Sequence, residues 1–332
     1  KYLITDNAVE YIENIENAIL MRGRSYEPSE VEDWWKNNKL VGQNIYSRDQ
    51  IEYVYILNNK NIPENAIYSW DISQNQDKSV MSWVIDTDNN GLYEWYIGAN
   101  YRVKASEIMN CYFWNLTNCI EIEGLEYLDL SNTKEIDLLF GLSSKITYLD
   151  LSSWNTKNVT RMGSVFSHCA NLEKVDLSSW DTSNVKIMSE MFYYCENLKQ
   201  VDLHNFNTQQ VTNMQSMFGF CTNLEKLDVS SFDTSHVTNM GGMFRALKNL
   251  EILNLNNFNT ENVTTLNAMF FDSYGIQELD ISNFNIDDNV DYANFLNNVS
   301  KNIKVYVKDL AVKSKLLENF GNYLSDTNVI IK

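Results

Sequence analysis

The sequence predicts an α/β solenoid: a right-handed, leucine-rich-repeat-like coil of 26-residue repeats, each a strand, a turn and a short helix, with the strands in one parallel sheet. Aromatic ladders predict it first. Trp154, Trp180, Phe206, Phe232, Phe258 and Phe284 recur at 26-residue steps, as do Phe166, Phe192, Phe218, Phe244 and Phe270. Met162, Met188, Met214 and Met240 keep the same step, with Leu266 in the next slot. Within one copy, Leu172, Val175 and Leu177 fit the spacing L-x-x-L-x-L. Val175 and Leu177 alternate with Lys174, Asp176 and Ser178, as in a strand with one buried face.

The rest of the copy follows from its residue types. Trp180 stands where many leucine-rich repeats place Asn or Cys, and a ring there plugs the turn leaving the strand. Asp181 to Asn184 is a cluster of turn formers. Val185, Met188, Phe192 and Cys195 then fall at three- and four-residue steps, which predicts one apolar stripe of a short helix. A single copy cannot bury both its strand face and its stripe. Stacked copies can, with strands about 4.8 Å apart. Loop lengths are uniform, and nothing is inserted where a catalytic loop would sit.

Residues 1–22 read as a helix, with Val9, Ile12, Ile15 and Ile19 opposite Glu10, Glu13 and Glu16, ended by Gly23 and Pro28. Ser29 to Asn37 has capping-box spacing from Ser29 to Glu32 and holds Trp34 and Trp35, a core pair or, exposed, a stacking platform. Arg48 to Leu57 does not decide between helix and strand, and Ile62 to Asn65 is a turn. Residues 1–66 thus form an N-terminal helical region, 67–125 a β-rich N-terminal cap, 126–300 the solenoid and 301–332 a C-terminal cap. In the first cap Val80, Trp83 and Ile85, then Leu92 to Ile97, mark strands. Leu125, Leu128 and Leu130 give a shortened repeat ahead of Leu149 and Leu151. After Phe284 the pattern decays. Val305 and Val307, then Leu310, Leu316, Leu317 and Phe320, then Val329 to Ile331, read as a strand–helix–strand cap.

The runs Val175 to Val185 (Val-Asp-Leu-Ser-Ser-Trp-Asp-Thr-Ser-Asn-Val) and Thr212 to Phe218 (Thr-Asn-Met-Gln-Ser-Met-Phe) resemble BspA-like leucine-rich repeat surface proteins, over about 145–300 with a looser match at 70–130. That resemblance implies a bacterial, extracellular cell-surface protein. It implies adhesion or interaction, not catalysis, with a protein or glycan of a host or neighbouring cell as partner, and it names no ligand.

Composition sets outer bounds. A chain of 332 residues suffices for one elongated domain or two compact ones. The net charge of −18 argues against nucleic acid and against anionic membrane surfaces. No stretch approaches 18 apolar residues, so no transmembrane segment is expected. The start at Lys1 without methionine reads as a chain whose export signal or anchor has been removed. Of five cysteines, Cys169, Cys195 and Cys221 share one slot and read as small buried hydrophobes. Cys111 and Cys119 stand apart, free or bridged.

The outward strand slots give the candidate ligand-binding face. Asp150, Asp176, Asp202, Asp228, Asn254 and Asp280 form its middle column, with Lys174 and Lys226 on one side and His204 on the other. Stacked carboxylates at strand spacing repel one another. They are either satisfied by hydroxyl and ammonium neighbours or form an acidic recognition face. Thr156, Thr182, Thr208, Thr234 and Thr260 are expected to bond turn backbone. His168, His204 and His236 lie in different slots, so no catalytic set comes into register and no catalytic residue is expected.

Asp86-Thr87-Asp88-Asn89-Asn90-Gly91 alternates like the first half of a calcium loop, with Asp86, Asp88, Asn90 and Glu94 as ligands. The bidentate Glu due at the twelfth position is Ile97. The motif reads either as a structural calcium site or as a hairpin turn built on Asn90-Gly91, and no other cofactor is expected. The alternative to a binding module is a structural assembly subunit, pilin-like or part of a surface filament. It would self-assemble through the N-terminal helix and display the solenoid as a head.

Overall fold

The structure, a computed structural model, describes residues 39, 40, 43 and 45–332. The helix expected at 1–22 and the Ser29 to Asn37 segment with Trp34 and Trp35 lie outside the described residues.

The first described unit is a five-stranded sheet. It contains β1 (Ile51–Leu57), β2 (Tyr68–Asp71), β3 (Val80–Ile85) and β4 (Tyr93–Ala99). After the short β5 (Val103–Lys104) comes its last member, β6 (Glu121–Glu123). The order is β2-β3-β4-β1-β6, with β2, β3 and β4 antiparallel and β1 parallel to both β4 and β6. Residues 51–57, undecided in the sequence, are therefore a strand inside this sheet. The register slips between Ile51 and Tyr53, so Ile51 and Val54 both point inward although three residues apart. That spacing imitates a helix. Beyond the slip Val54 and Ile56 are buried, while Tyr55 stacks on Tyr96 at 4.9 Å on the other face.

The chain then becomes a stack of units. Glu135, Arg161, Ile187, Asn213, Asn239, Thr265 and Asp291, each 26 residues after the last, form one ladder of parallel bridges. On the opposite side β7 (Leu128–Asp129) pairs with β5, and β8 (Tyr148–Asp150) with β9 (Lys174–Asp176). Single bridges join Gln200 to Lys226 and Ile252 to Glu278. The parallel strands β10 (Glu278–Asp280), β11 (Lys304–Val307) and β12 (Val329–Ile331) form the final sheet. Between β11 and β12 runs α1 (Leu310–Phe320), N-capped by the Asp309 carboxylate, which accepts from Val312 N at 2.9 Å. Its buried Val312, Leu316 and Phe320 face the last repeat, with the Phe320 ring 6.5 Å from Phe295.

The short helix expected in each repeat is replaced by a run of overlapping turns; among the described residues α1 is the one α-helix. Leu139, Gly141 and Ser143 N donate back to the carbonyls of Ile136, Leu138 and Phe140. The intervening N–H groups of Ile136, Leu138, Phe140 and Leu142 donate instead to Arg161, Gly163, Val165 and Ser167 of the next unit. An α-helix keeps its N–H groups within its own segment. Here alternate ones leave it, which requires left-handed backbone at every fourth residue: Ser164 and His168, Glu190 and Tyr194, Ser216 and Phe220. The stripe misled because this path also turns Met188, Phe192 and Cys195 inward, each fully buried.

Four columns of seven inter-unit bonds run one way, from Met109, Cys111, Phe113 and Asn115 to the carbonyls of Asp291, Ala293, Phe295 and Asn297, all at 2.7–3.1 Å, and one column of seven runs the other way, from Lys134 N on the Glu107 carbonyl to Asp291 N on the Thr264 carbonyl, at 2.7–2.9 Å. The side chains stack with them. Phe140, Phe166, Phe192, Phe218, Phe244 and Phe270 lie ring on ring at 5.4–6.1 Å, within 15° of parallel.

The turn stack and a helix respond oppositely to one substitution. Ala268 has φ +54°, where a Cβ is strained. Ala268→Gly is therefore expected to stabilise by ~0.5–1 kcal/mol in urea unfolding, whereas glycine inside a helix costs about 1 kcal/mol. A destabilised variant would contradict the turn stack.

Candidate binding face and the poles of the turn stack

The acidic column lies along the strand side, and each member closes its own turn. Oδ1 of Asp150, Asp176, Asp202, Asp228, Asn254 and Asp280 accepts from the backbone N–H two residues on, at 2.9–3.1 Å. Asp202 also pairs with His204 Nδ1 at 2.7 Å. Hydrogen bonds from the side chains of Ser178, His204 and Ser230, then from their N–H groups, hold Asp176, Asp202 and Asp228 below the usual carboxylate range. Asp280 is also lowered: burial pushes it up, but the Lys332 and Ser282 bonds outweigh this. Its Oδ2 pairs with the Lys332 ammonium.

Lys174, Gln200, Asp202, Lys226 and Asp228 line one shallow groove across this side. Lys174 also sits over the Tyr148 ring at 5.4 Å. A second shallow groove holds Lys226, Asp228 and Ile252, whose side chain is 80% exposed. The structure thus brings Lys174, Asp202, Lys226 and Asp228 together, while Asp150, Asn254 and Asp280 lie along the same column outside the first groove. The threonines do more than expected. Each of Thr156, Thr182, Thr208 and Thr234 donates to a carbonyl 25 residues on and accepts from that same residue's N–H. They therefore bond the next unit, not their own turn.

The Asp86 loop joins β3 to β4 as a hairpin. Asp86 accepts from Asn90 N and Gly91 N, and Asp88 from Asn90 N and Nδ2. Glu94 accepts from Thr87 N at 3.3 Å. These oxygens thus face the loop's own donors, and among the described residues no group of three or more His, Cys, Asp or Glu side chains is placed to hold a metal ion. Cys111 and Cys119 are free and buried. Cys169, Cys195 and Cys221 donate Sγ–H to the carbonyls of Phe140, Phe166 and Phe192. Ser143 and Ser273 make the same bond in their units. The cysteine slot is therefore a small-donor slot, and burial pushes the Cys169 thiol up to about 12, which leaves it unreactive.

Two features have no counterpart in the sequence pattern. Arg48 is buried and has no carboxylate partner among the described residues. Its guanidinium donates to the carbonyls of Tyr112 at 2.6 Å, Trp114 at 3.1 Å and Lys39 at 3.2 Å. Tyr112 and Trp114 belong to the first unit, whose outward carbonyls begin the peptide columns. The second feature is an aromatic belt outside the turn stack. Tyr194 stacks between His168 and Phe220 at 4.8 and 4.2 Å, and Arg245 lies between Phe220 and Phe271. The signal that could have found it is divergence: right after the repeated Phe166 slot, Ser167, Tyr193, Gly219, Arg245 and Phe271 share one slot and His168, Tyr194, Phe220, Ala246 and Asp272 the next, and neither repeats.

The lowered carboxyls set a pH dependence. A folded pKa below the ordinary 3.8 gives stability that is full above that value and is lost as pH falls through the folded pKa. Through these carboxyls Tm is therefore expected to fall below about pH 4, less steeply in Asp202→Asn. Calorimetry from pH 7 to 3 measures this, and a Tm that rises on acidification would contradict it.

The comparisons with known proteins centre on the repeats. No curated protein matches the chain. Among solved structures, the pneumococcal vaccine antigen PcpA is similar at 13% identity and a TM-score of 0.22, over 88% of this chain and 93% of that one. A family model described as "Mycoplasma protein of unknown function, DUF285" matches twice, at 107–226 and 197–309. The two matches overlap and run from the first bridged unit through the last, which is more than half of the chain, and the chain therefore belongs to the DUF285 family.

Proposed function

We propose that the chain is a non-enzymatic bacterial cell-surface interaction protein. Its repeats would form a leucine-rich-repeat-like solenoid whose strand side holds a protein or glycan of a host or neighbouring cell. The carrying observation is the strand side itself: a column of outward Asp and Asn side chains, exposed or half-buried, with Lys174, Asp202, Lys226 and Asp228 around a shallow groove. Stacked repeats commonly use such a surface for extended binding. The likeness to BspA-like surface proteins supports the location and the adhesive role.

The histidines are each engaged locally, His204 with Asp202, His168 with Ser167 and His236 with Ser235. Ser167 is itself buried, out of reach of a substrate. The filament-subunit alternative rests on residues 1–22, outside the described residues.

Glycan and matrix-protein arrays probed with the full chain test the reading. Charge reversal at Lys174→Glu with Lys226→Glu should weaken capture at least about tenfold while leaving Tm near wild type. Capture unchanged by these reversals would contradict the strand side as the binding face. Size-exclusion chromatography with light scattering, with and without calcium, is expected to show one monomeric species. Concentration-dependent large species would favour the filament subunit, and a calcium-dependent change would favour an ion at Asp86.

A further inference from the structure

Arg245 occupies the divergent slot on the outer side of the turn stack, where other units carry Gly219, Tyr193 and Phe271. Its guanidinium carbon lies 4.9 Å from the Phe220 ring centroid and 4.7 Å from that of Phe271. Two rings thus fix the plane of the cation, which reduces what is lost on meeting an acceptor.

Among the described residues no acceptor meets it. Nε is buried and has no hydrogen-bond partner among the described residues, while the residue as a whole is half-buried. Other arginines are engaged, Arg48 by three carbonyls and Arg161 by Asp137 at 2.8 Å. In a chain of net charge −18, a clamped and always-charged guanidinium with no acceptor is anomalous.

Gly219 has no side chain, and Tyr193 leans over it so closely that a Cβ there would sit 3.1 Å from the ring. Burial is the main influence on the Tyr193 phenol, followed by Tyr194 and the Glu190 carboxylate, which push it up, and by the Arg245 charge, which pulls it down, so Arg245 and Glu190 both lie within electrostatic reach of it.

We propose that Arg245, with Tyr193 beside it, is an oxyanion site that takes a sulfate or carboxylate group edge-on to the guanidinium. A planar fork of N–H donors matches a pair of oxygens on one atom. The site lies on the turn side, independent of the strand face, and stands or falls separately from it.

The test follows the Nε–H resonances of the full chain labelled with ¹⁵N-arginine, Arg245 being assigned by its loss in Arg245→Lys. Sodium sulfate, sodium acetate and sodium chloride are titrated at constant ionic strength. The expected result is a saturable Arg245 shift with sulfate or acetate, with Kd on the order of millimolar, absent with chloride and not shared by Arg48 or Arg161. The lower of the two Kd values tells sulfate from carboxylate. Tyr193→Phe, which keeps the ring, should weaken the binding while Tm holds. No saturable shift, or one shared equally by the other arginines, overturns the proposal.

Discussion

The rest of the structure depends on the hydrogen bonds that run between successive 26-residue units. Four peptide columns, seven bonds to a column, point their N–H groups toward the C-terminal end and their C=O groups toward the N-terminal end, against one column of seven, from Lys134 N on the Glu107 carbonyl to Asp291 N on the Thr264 carbonyl, that runs the other way. Parallel peptide dipoles add, as they do in an α-helix. The stack therefore has a negative pole at the first unit and a positive pole at the last. This accounts for Arg48: a cation buried without a carboxylate is costly, but here it sits on the carbonyls of Tyr112 and Trp114 at the negative pole. Ser106 Oγ covers the Ile108 carbonyl of the same unit. At the other pole the N–H groups of Tyr292, Asn294, Leu296 and Asn298 have no backbone partner among the described residues.

Once the columns fix the distance between units, the side chains follow. A ring in one unit must meet a ring in the next, which gives the Phe ladder its near-parallel stacking. A polar atom inside must find its partner one unit away, so Thr156 reaches Asp181 and Cys169 reaches the Phe140 carbonyl. Each slot is thereby restricted to residues of one size and one hydrogen-bonding role. Ser and Cys interchange in the donor slot for that reason, and Trp and Phe in the slot of Trp154 and Phe206. The outward slots are free of this restriction, and variation collects there, in Lys174, Ile252 and Arg245.

The period and the inward slots were legible in the sequence because stacking writes the same residue at each step. The local path was not. Val185, Met188, Phe192 and Cys195 mark which residues point inward, but the same marks fit a helix and a run of turns. The left-handed residues that distinguish the two, such as Glu190 and Tyr194, have no glycine to announce them. Strand β1 was hidden by a register slip. The acidic column was legible; that each member accepts from the backbone N–H two residues on was not. Arg48 and Arg245 were not, since each acts through partners remote in sequence and in a slot the repeat does not define.

Native-state hydrogen exchange tests the columns most directly. The amides of Met162, Ser164, Phe166 and His168, and those at 26-residue steps from them, are expected to exchange only through near-global unfolding. Tyr292, Asn294, Leu296 and Asn298 at the open pole are expected to exchange far faster. Column amides exchanging at loop rates, or an open pole as protected as the interior, would contradict the account.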